Sequence, residues 1–249
     1  RETVKFGANM STLNFQLSRS LARELQAGDE IVVTQLDHDA NYSPWRLLAE
    51  DHGLVLKVIR LNPADGTLDM EHYASLLGPR TKIVAVGMSS NALGTINPTK
   101  RIVEAAHAVG ALTVLDAVCS APHYPVDVQA LDCDFYVFSS HKLYGPTGLG
   151  VLWAREAVLR EMPPWQGGGD MIRTVSFAKT TYNDLPYRFE AGTPHISGAV
   201  GLAAAIDYLE SLGIERVHAH EQHLLQRATA ALREVPGLTI IGEAARKGG

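Results

Sequence analysis

The sequence predicts an α/β protein organised around a mostly parallel sheet. Short apolar runs of strand length alternate with segments whose apolar residues recur at helical spacing. That order suits right-handed strand–helix–strand crossovers. Polar residues recur just after the apolar runs, at positions 7–9, at His38, Asn91 and Asp116, and at positions 139–142. In a parallel sheet the carboxyl ends of the strands share one edge, where α/β proteins bind their ligands. These residues are therefore expected to converge on one pocket, which points to a small-molecule enzyme.

Composition narrows the class. The chain has 249 residues, one large domain or two small ones, with 46% apolar and 20% charged residues, as in a soluble globular protein. A net charge of −5 with scattered Lys and Arg leaves no basic stripe, which argues against nucleic acid as a partner. No apolar run approaches a membrane span and no signal-peptide pattern opens the chain, so no membrane partner is expected. Cys119 and Cys133 make neither a disulfide framework nor a metal-ligand spacing. A reducing, cytoplasmic setting without a metal is expected.

Taken in order, residues 4–6 read as a short strand, followed by Gly7, Ala8 and Asn9 and by Ser11 or Thr12 as a helix cap. Leu13, Leu17, Leu21 and Leu25 repeat every fourth residue and draw an apolar stripe along the next helix. A glycine turn feeding a helix N-terminus is also an anion site, because unpaired N–H groups and the helix dipole face the ligand. Residues 30–34 form the next strand and deliver the polar cluster Asp37, His38, Asp39 and Asn41; a helix starts at Pro44 and Trp45. Residues 54–61 read as a strand, 69–77 as a helix, and 83–88 as a buried strand ending in Ser89, Ser90 and Asn91. Ile102, Ala105, Ala106 and Val109 lie at helical spacing before Gly110, which stops the helix. The run 111–115 is a strand closed by Asp116.

The richest stretch is 132–150. Its apolar core, 135–138, reads as a buried strand opening into Ser139, Ser140, His141 and Lys142, then a turn with Gly145, Pro146 and Gly148. A lysine just past a buried strand, partly desolvated, would lose its proton more easily, as an imine-forming amine must. Asp116 offers a carboxylate at a nearby strand end. A Schiff-base lysine with a carboxylate partner for a pyridinium nitrogen is what pyridoxal 5′-phosphate chemistry needs.

Beyond that stretch, 151–154 reads as a strand and 155–161 as a short helix, and residues 163–169 as a flexible loop. Residues 170–192 show no clean period and are expected to form a functional or interface loop. Two helices, 195–212 and 215–234, break at Gly213, and 238–241 reads as a strand opening a further unit.

The run Pro125-Val126-Asp127-Val128-Gln129-Ala130-Leu131-Asp132-Cys133-Asp134-Phe135-Tyr136-Val137-Phe138, continuing through His141-Lys142-Leu143-Tyr144-Gly145-Pro146-Thr147-Gly148, resembles the class V aminotransferase family. The nearest group is the Suf-type cysteine desulfurases and selenocysteine lyases. Residues 188–194 and 163–169 match too, and the likeness runs nearly end to end. It implies the fold-type I architecture of pyridoxal-phosphate enzymes, with a mostly parallel seven-stranded sheet flanked by helices. Residues 1–235 would form the cofactor-binding large domain, and 236–249 the start of a C-terminal small domain whose remainder, with a mobile cysteine and a substrate-gripping arginine, is expected beyond Gly249.

The resemblance further implies that Lys142 holds the cofactor covalently and that Asp116 pairs with its ring nitrogen. His38 would stack on the ring and shuttle protons, with Asn91 beside the ring hydroxyl. Ser139 and His141 would hold the phosphate, helped by the backbone at Ala8 and Asn9, and Thr193 would reach the phosphate of a neighbouring subunit in a homodimer. The implied reaction takes sulfur from L-cysteine, giving alanine and an enzyme persulfide for a sulfur-acceptor protein, as in iron–sulfur cluster assembly. Alternatives are action on L-selenocysteine, an epimerase or aminotransferase of the same family, or a cofactor-binding fragment without turnover. Four positions depart from the family pattern: the phosphate turn reads Gly7-Ala8-Asn9, Cys119 replaces a ring-facing glutamine, Asp39 replaces a second histidine, and Ser140 replaces a glycine.

Overall fold

The structure, a computed structural model, describes residues 2–248. In chain order its elements are β1 (Val4–Gly7), α1 (Met10–Leu21), β2 (Glu30–Thr34), α2 (Ser43–His52), β3 (Val55–Ile59), α3 (Met70–Leu76), β4 (Thr81–Gly87), α4 (Thr99–Ala108) and β5 (Leu112–Asp116). Then follow α5 (Val128–Leu131), β6 (Phe135–Ser139), β7 (Gly150–Ala154), α6 (Glu156–Glu161), β8 (Ile172–Val175), β9 (Thr180–Tyr182), α7 (Ile196–Leu212) and α8 (Ile214–Arg233). Seven strands form one sheet in the order β1-β7-β6-β5-β4-β2-β3.

Strands β2 to β6 pair parallel, whereas β7 runs antiparallel to both β6 and β1. Two reversals return β1 to the direction of β6, so the exit of β1 lies on the same edge as the carboxyl ends of β2, β4, β5 and β6. The mostly parallel, seven-stranded expectation holds.

The strands are apolar because both faces are covered. Side chains alternate across a strand, and in β2 Ile31 and Val33 join one core while Val32 joins the other. On the first face Met10, Leu13, Leu17 and Leu21 of α1 pack with Trp45 and Leu48 of α2 against Phe135 and Val137. On the second, Ile102 and Ala106 of α4 meet Val84, Val86 and Leu115. Helix α1 ends at Leu21 and tightens into a 3₁₀ turn, Ala22–Glu24, which leaves Leu25 only half-buried at the end of its stripe. Its cap is Asn9 rather than Ser11 or Thr12: the Asn9 side chain accepts the Thr12 N–H at 2.9 Å.

Two segments differ from the sequence reading in their secondary structure. Residues 170–192 are not irregular throughout but carry the β8–β9 hairpin and a 3₁₀ turn, Tyr187–Phe189. The hairpin stands on the surface, with Val175 and Phe177 exposed, so no buried face imposes an alternation on its sequence. And 238–241 is no strand. The tail instead returns to the loop after β4, where Ile96 N–H donates to the Arg246 carbonyl at 3.0 Å and Gly248 N–H to the Gly94 carbonyl at 2.7 Å.

Candidate active site

The strand ends on this edge enclose a cavity of about 440 Å³, lined among others by Ser11, His38, Ser89, Asn91, Asp116, Cys119, Ser139, His141 and Lys142. Seven of the residues singled out in the sequence thus meet: His38, Asn91, Asp116, Cys119, Ser139, His141 and Lys142.

Strand β5 ends in Asp116, only 7% exposed, and the next turn folds back so that Val118 N–H donates to Asp116 Oδ1 at 2.9 Å. Desolvation pushes this carboxyl up to about 6; the hydrogen bond from Val118 and the nearby His38 ring pull it the other way. Cys119 follows on the same turn. Burial pushes its thiol up, with the Asp116 charge adding and Lys142 opposing, so it is held as a neutral thiol.

Strand β6 ends in Ser139, buried, whose Oγ accepts the Met10 N–H of the first turn of α1 at 2.9 Å. The contact needs the two elements to approach closely, which Gly150 at the start of β7 allows: a Cβ there would stand 2.5 Å from the Asn9 carbonyl carbon. After Ser139 the chain makes a 3₁₀ turn, Ser140–Lys142, closed by Leu143 N–H on the Ser140 carbonyl at 2.8 Å. The turn carries Lys142 to the cavity rim, where it is exposed. The turn projects beyond the apolar strand, so Lys142 is more open to solvent than its place just after a buried strand suggests. Ser140 faces inward, and its Oγ is buried without a partner among the described residues.

Strand β2 leads to His38, whose Nδ1 accepts the Ala40 N–H at 3.0 Å while the ring lines the cavity. Capping and facing the ligand are here one role. Asp39, by contrast, turns away to accept the Ser43 hydroxyl at 2.6 Å. Asn91 lies exposed on the turn after β4, held by Ser90 Oγ, which accepts from Ala92 and Leu93 N–H.

Ala8 and Thr193 line a separate hollow of about 270 Å³, with Gly148 and His195, while Asn9 is occupied as the helix cap. Ala8 and Thr193 thus stand outside the lining of the main cavity, while Asn9 caps the helix whose first residue, Met10, lines it. Reading the sequence missed Ser11 and Ser89 as wall residues; Ser11 sat among the candidate caps, and Ser89 in an ordinary strand-to-turn pattern.

The donor set fits pyridoxal phosphate. A carboxyl in a desolvated niche, with one oxygen lacking a donor among the described residues, faces a cavity that also presents an amine, two imidazoles and a helix N-terminus.

The sequence profile of the aminotransferase class-V family matches residues 6–249. A cysteine desulfurase of Enterobacter sp. (strain 638) is 52% identical over 226 residues, 90% of this chain and 55% of its own length. One from Dickeya dadantii (strain 3937) is 50% identical over 224 residues, 90% of this chain and 54% of its own. The chain thus spans about half the length of these curated relatives. The crystal structure of the cysteine desulfurase CsdA (S-sulfonic acid) from Escherichia coli superposes with a TM-score of 0.91 at 37% identity, over 95% of this chain and 59% of the other. The apo cysteine desulfurase of Thermococcus onnurineus NA1 gives 0.89 at 37% identity, over 97% of this chain and 62% of the other.

Proposed function

Because this chain belongs to the aminotransferase class-V family, we propose that it forms the cofactor-binding part of a pyridoxal-phosphate cysteine desulfurase. One observation carries the reading: Asp116 and Lys142, at the ends of adjacent parallel strands, face one cavity. The cofactor supplies an electron sink for the bond-breaking at the substrate's α-carbon.

The chain's own residues do the rest. The Lys142 amine at the rim anchors the cofactor and moves a proton to or from the α-carbon. Asp116, raised to about 6, is mostly ionised at neutral pH; a cationic nitrogen opposite it would favour that form further and keep its own proton. The Met10–Ser139 contact brings the N-terminus of α1 beside His141, so backbone dipole and side chains hold a phosphate together. His38, with its Nδ1 accepting, presents its remaining N–H toward the cavity as a donor.

The substrate of this reading is L-cysteine, with L-selenocysteine as the close chemical alternative, and the sulfur passes to an acceptor protein from a homodimer in the cytoplasm. Neither cysteine here suits the sulfur-receiving role. Cys133 is buried and its thiol is pushed up to about 12, and Cys119 is also raised. On this reading the sulfur-receiving thiolate is neither of these two.

The test is the visible spectrum of the purified protein with added pyridoxal phosphate, before and after borohydride, with the reduced adduct mapped by mass spectrometry. An adduct on Lys142 that disappears in Lys142→Ala is expected. A band that survives that substitution would remove Lys142 from its role. Alanine release from L-cysteine by the intact protein then separates the desulfurase from other members of the family.

A further inference from the structure

The turn that delivers His38 is built around a carboxylate with no part in the scheme above. Asp37 Oδ2 accepts the Thr34 N–H at 2.7 Å; its Oδ1 accepts the Gly87 N–H at 2.6 Å and the Asn41 side-chain amide at 3.1 Å. One side chain therefore joins the ends of β2 and β4 and the turn beyond His38. The same turn is tied from its other side. Asn14 of α1, fully buried, donates to the Ala40 carbonyl and to Asn41 Oδ1, each at 3.1 Å. Ala40 is thus fixed through its own carbonyl and through its neighbour Asn41, and its N–H is the donor to His38 Nδ1. A ring nitrogen that accepts carries no proton, so the proton of the neutral ring is on Nε2.

We propose that Asp37 is a positioning residue of this site: by clamping the turn at 34–41 to the end of β4, it holds the His38 ring in one tautomer and at one place on the cavity wall, beside Asp116. The geometry stands by itself, and its functional meaning rests on reading the cavity as a cofactor site. Gly87 is part of the clamp, since a Cβ there would stand 3.3 Å from Asp37 Oδ1. Desolvation pushes the Asp37 carboxyl up to about 7, against its hydrogen bonds to Thr34, Gly87 and Asn41, and the Asp116 charge adds to the rise. Stability alone does not favour a carboxyl held where its charge is costly. Fixing a ring that faces the ligand accounts for it.

The deciding measurement is the ring-nitrogen chemical shifts of His38 in the ¹⁵N-labelled intact protein, free and with pyridoxal phosphate, for wild type, Asp37→Asn and Asp37→Glu. Wild type should show the single Nε2–H tautomer. Asp37→Asn should show a tautomer mixture and about 10-fold weaker cofactor binding, the usual order for losing a residue that orients a ligand-facing side chain. Asp37→Glu, which restores the charge, should recover part of both. A folded Asp37→Asn that keeps the wild-type tautomer overturns the proposal, as does an Asp37→Glu no nearer to wild type than Asp37→Asn. Should Asp37→Asn not fold, Asn41→Ala breaks the same tie from the turn side and carries the same expectation. Wild type without any cofactor binding would sink the cofactor reading, while the tautomer shifts would still decide the role of Asp37.

Discussion

Asp116 and Asp134 stand at opposite edges of one sheet, on adjacent strands, and they are equally hidden: 7% and 4% exposed. Their surroundings differ completely. Asp134, just before β6, accepts at Oδ2 from Thr113 N–H at 2.8 Å, Thr113 hydroxyl at 2.9 Å and His107 Nε2 at 2.8 Å, and at Oδ1 from Arg155 Nε at 3.2 Å. Among the described residues Asp116 receives a single N–H, from Val118. A buried carboxylate whose lone pairs are filled by its own protein locks strands together. One left short of partners is available to a ligand. Burial does not separate structure from function here; the count of satisfied lone pairs does.

Substitutions can break this contrast. The largest expected effect is at the amino edge: Asp134→Ala strands the buried Thr113 N–H and hydroxyl, while Arg155 keeps Asp132, and should cost about 3–5 kcal/mol in denaturant unfolding. Cofactor absorbance in the folded fraction should be unchanged. At the carboxyl edge the sign reverses. The folded-state value of Asp116, about 6, lies above its ordinary value of 3.8, so the folded chain holds a proton that the unfolded chain releases. Stability is lost as pH rises between those two values. Asp116→Asn should therefore stabilise the cofactor-free protein by about 3 kcal/mol at pH 7 and by little near pH 4, while weakening cofactor retention. Equal gains at both pH values would refute the assignment.

Smaller effects sharpen the same line. Gly150→Ala, by forcing a Cβ against the Asn9 backbone, should cost about 1–3 kcal/mol and loosen the Met10–Ser139 contact, read as a lower denaturation midpoint and weaker phosphate binding. Ser140→Ala removes a buried hydroxyl that has no partner among the described residues and should stabilise by about 1 kcal/mol in thermal unfolding. A destabilised Ser140→Ala would mean that this hydroxyl has a partner, such as an ordered water.

Much of the site was legible because it sits on strand ends. Fully buried strands must be apolar, so the first polar residues after β2, β5 and β6 stand out, and His38, Asp116 and Lys142 were marked by their position alone. The hairpin at 172–182 was not legible through alternation. Its remaining signal was local: β-branched Ile172, Thr174, Val175, Thr180 and Thr181 on either side of a turn in which Ser176 N–H donates to the Lys179 carbonyl at 3.0 Å. Asp37 looked like one more polar residue in a turn, because the Gly87 N–H that it accepts is remote in sequence.

The sequence by itself determined the class of fold and the edge on which chemistry would gather, since hydrophobic period and strand-end polarity are local properties of the chain. Tertiary structure alone decided that β7 runs against its neighbours, that Lys142 stands exposed while Asp116 is desolvated, and that Asp37 grips β4. Each of these depends on which strand lies beside which, and on how many donors a distant segment brings to one carboxylate. Such pairings arise only when the chain closes on itself.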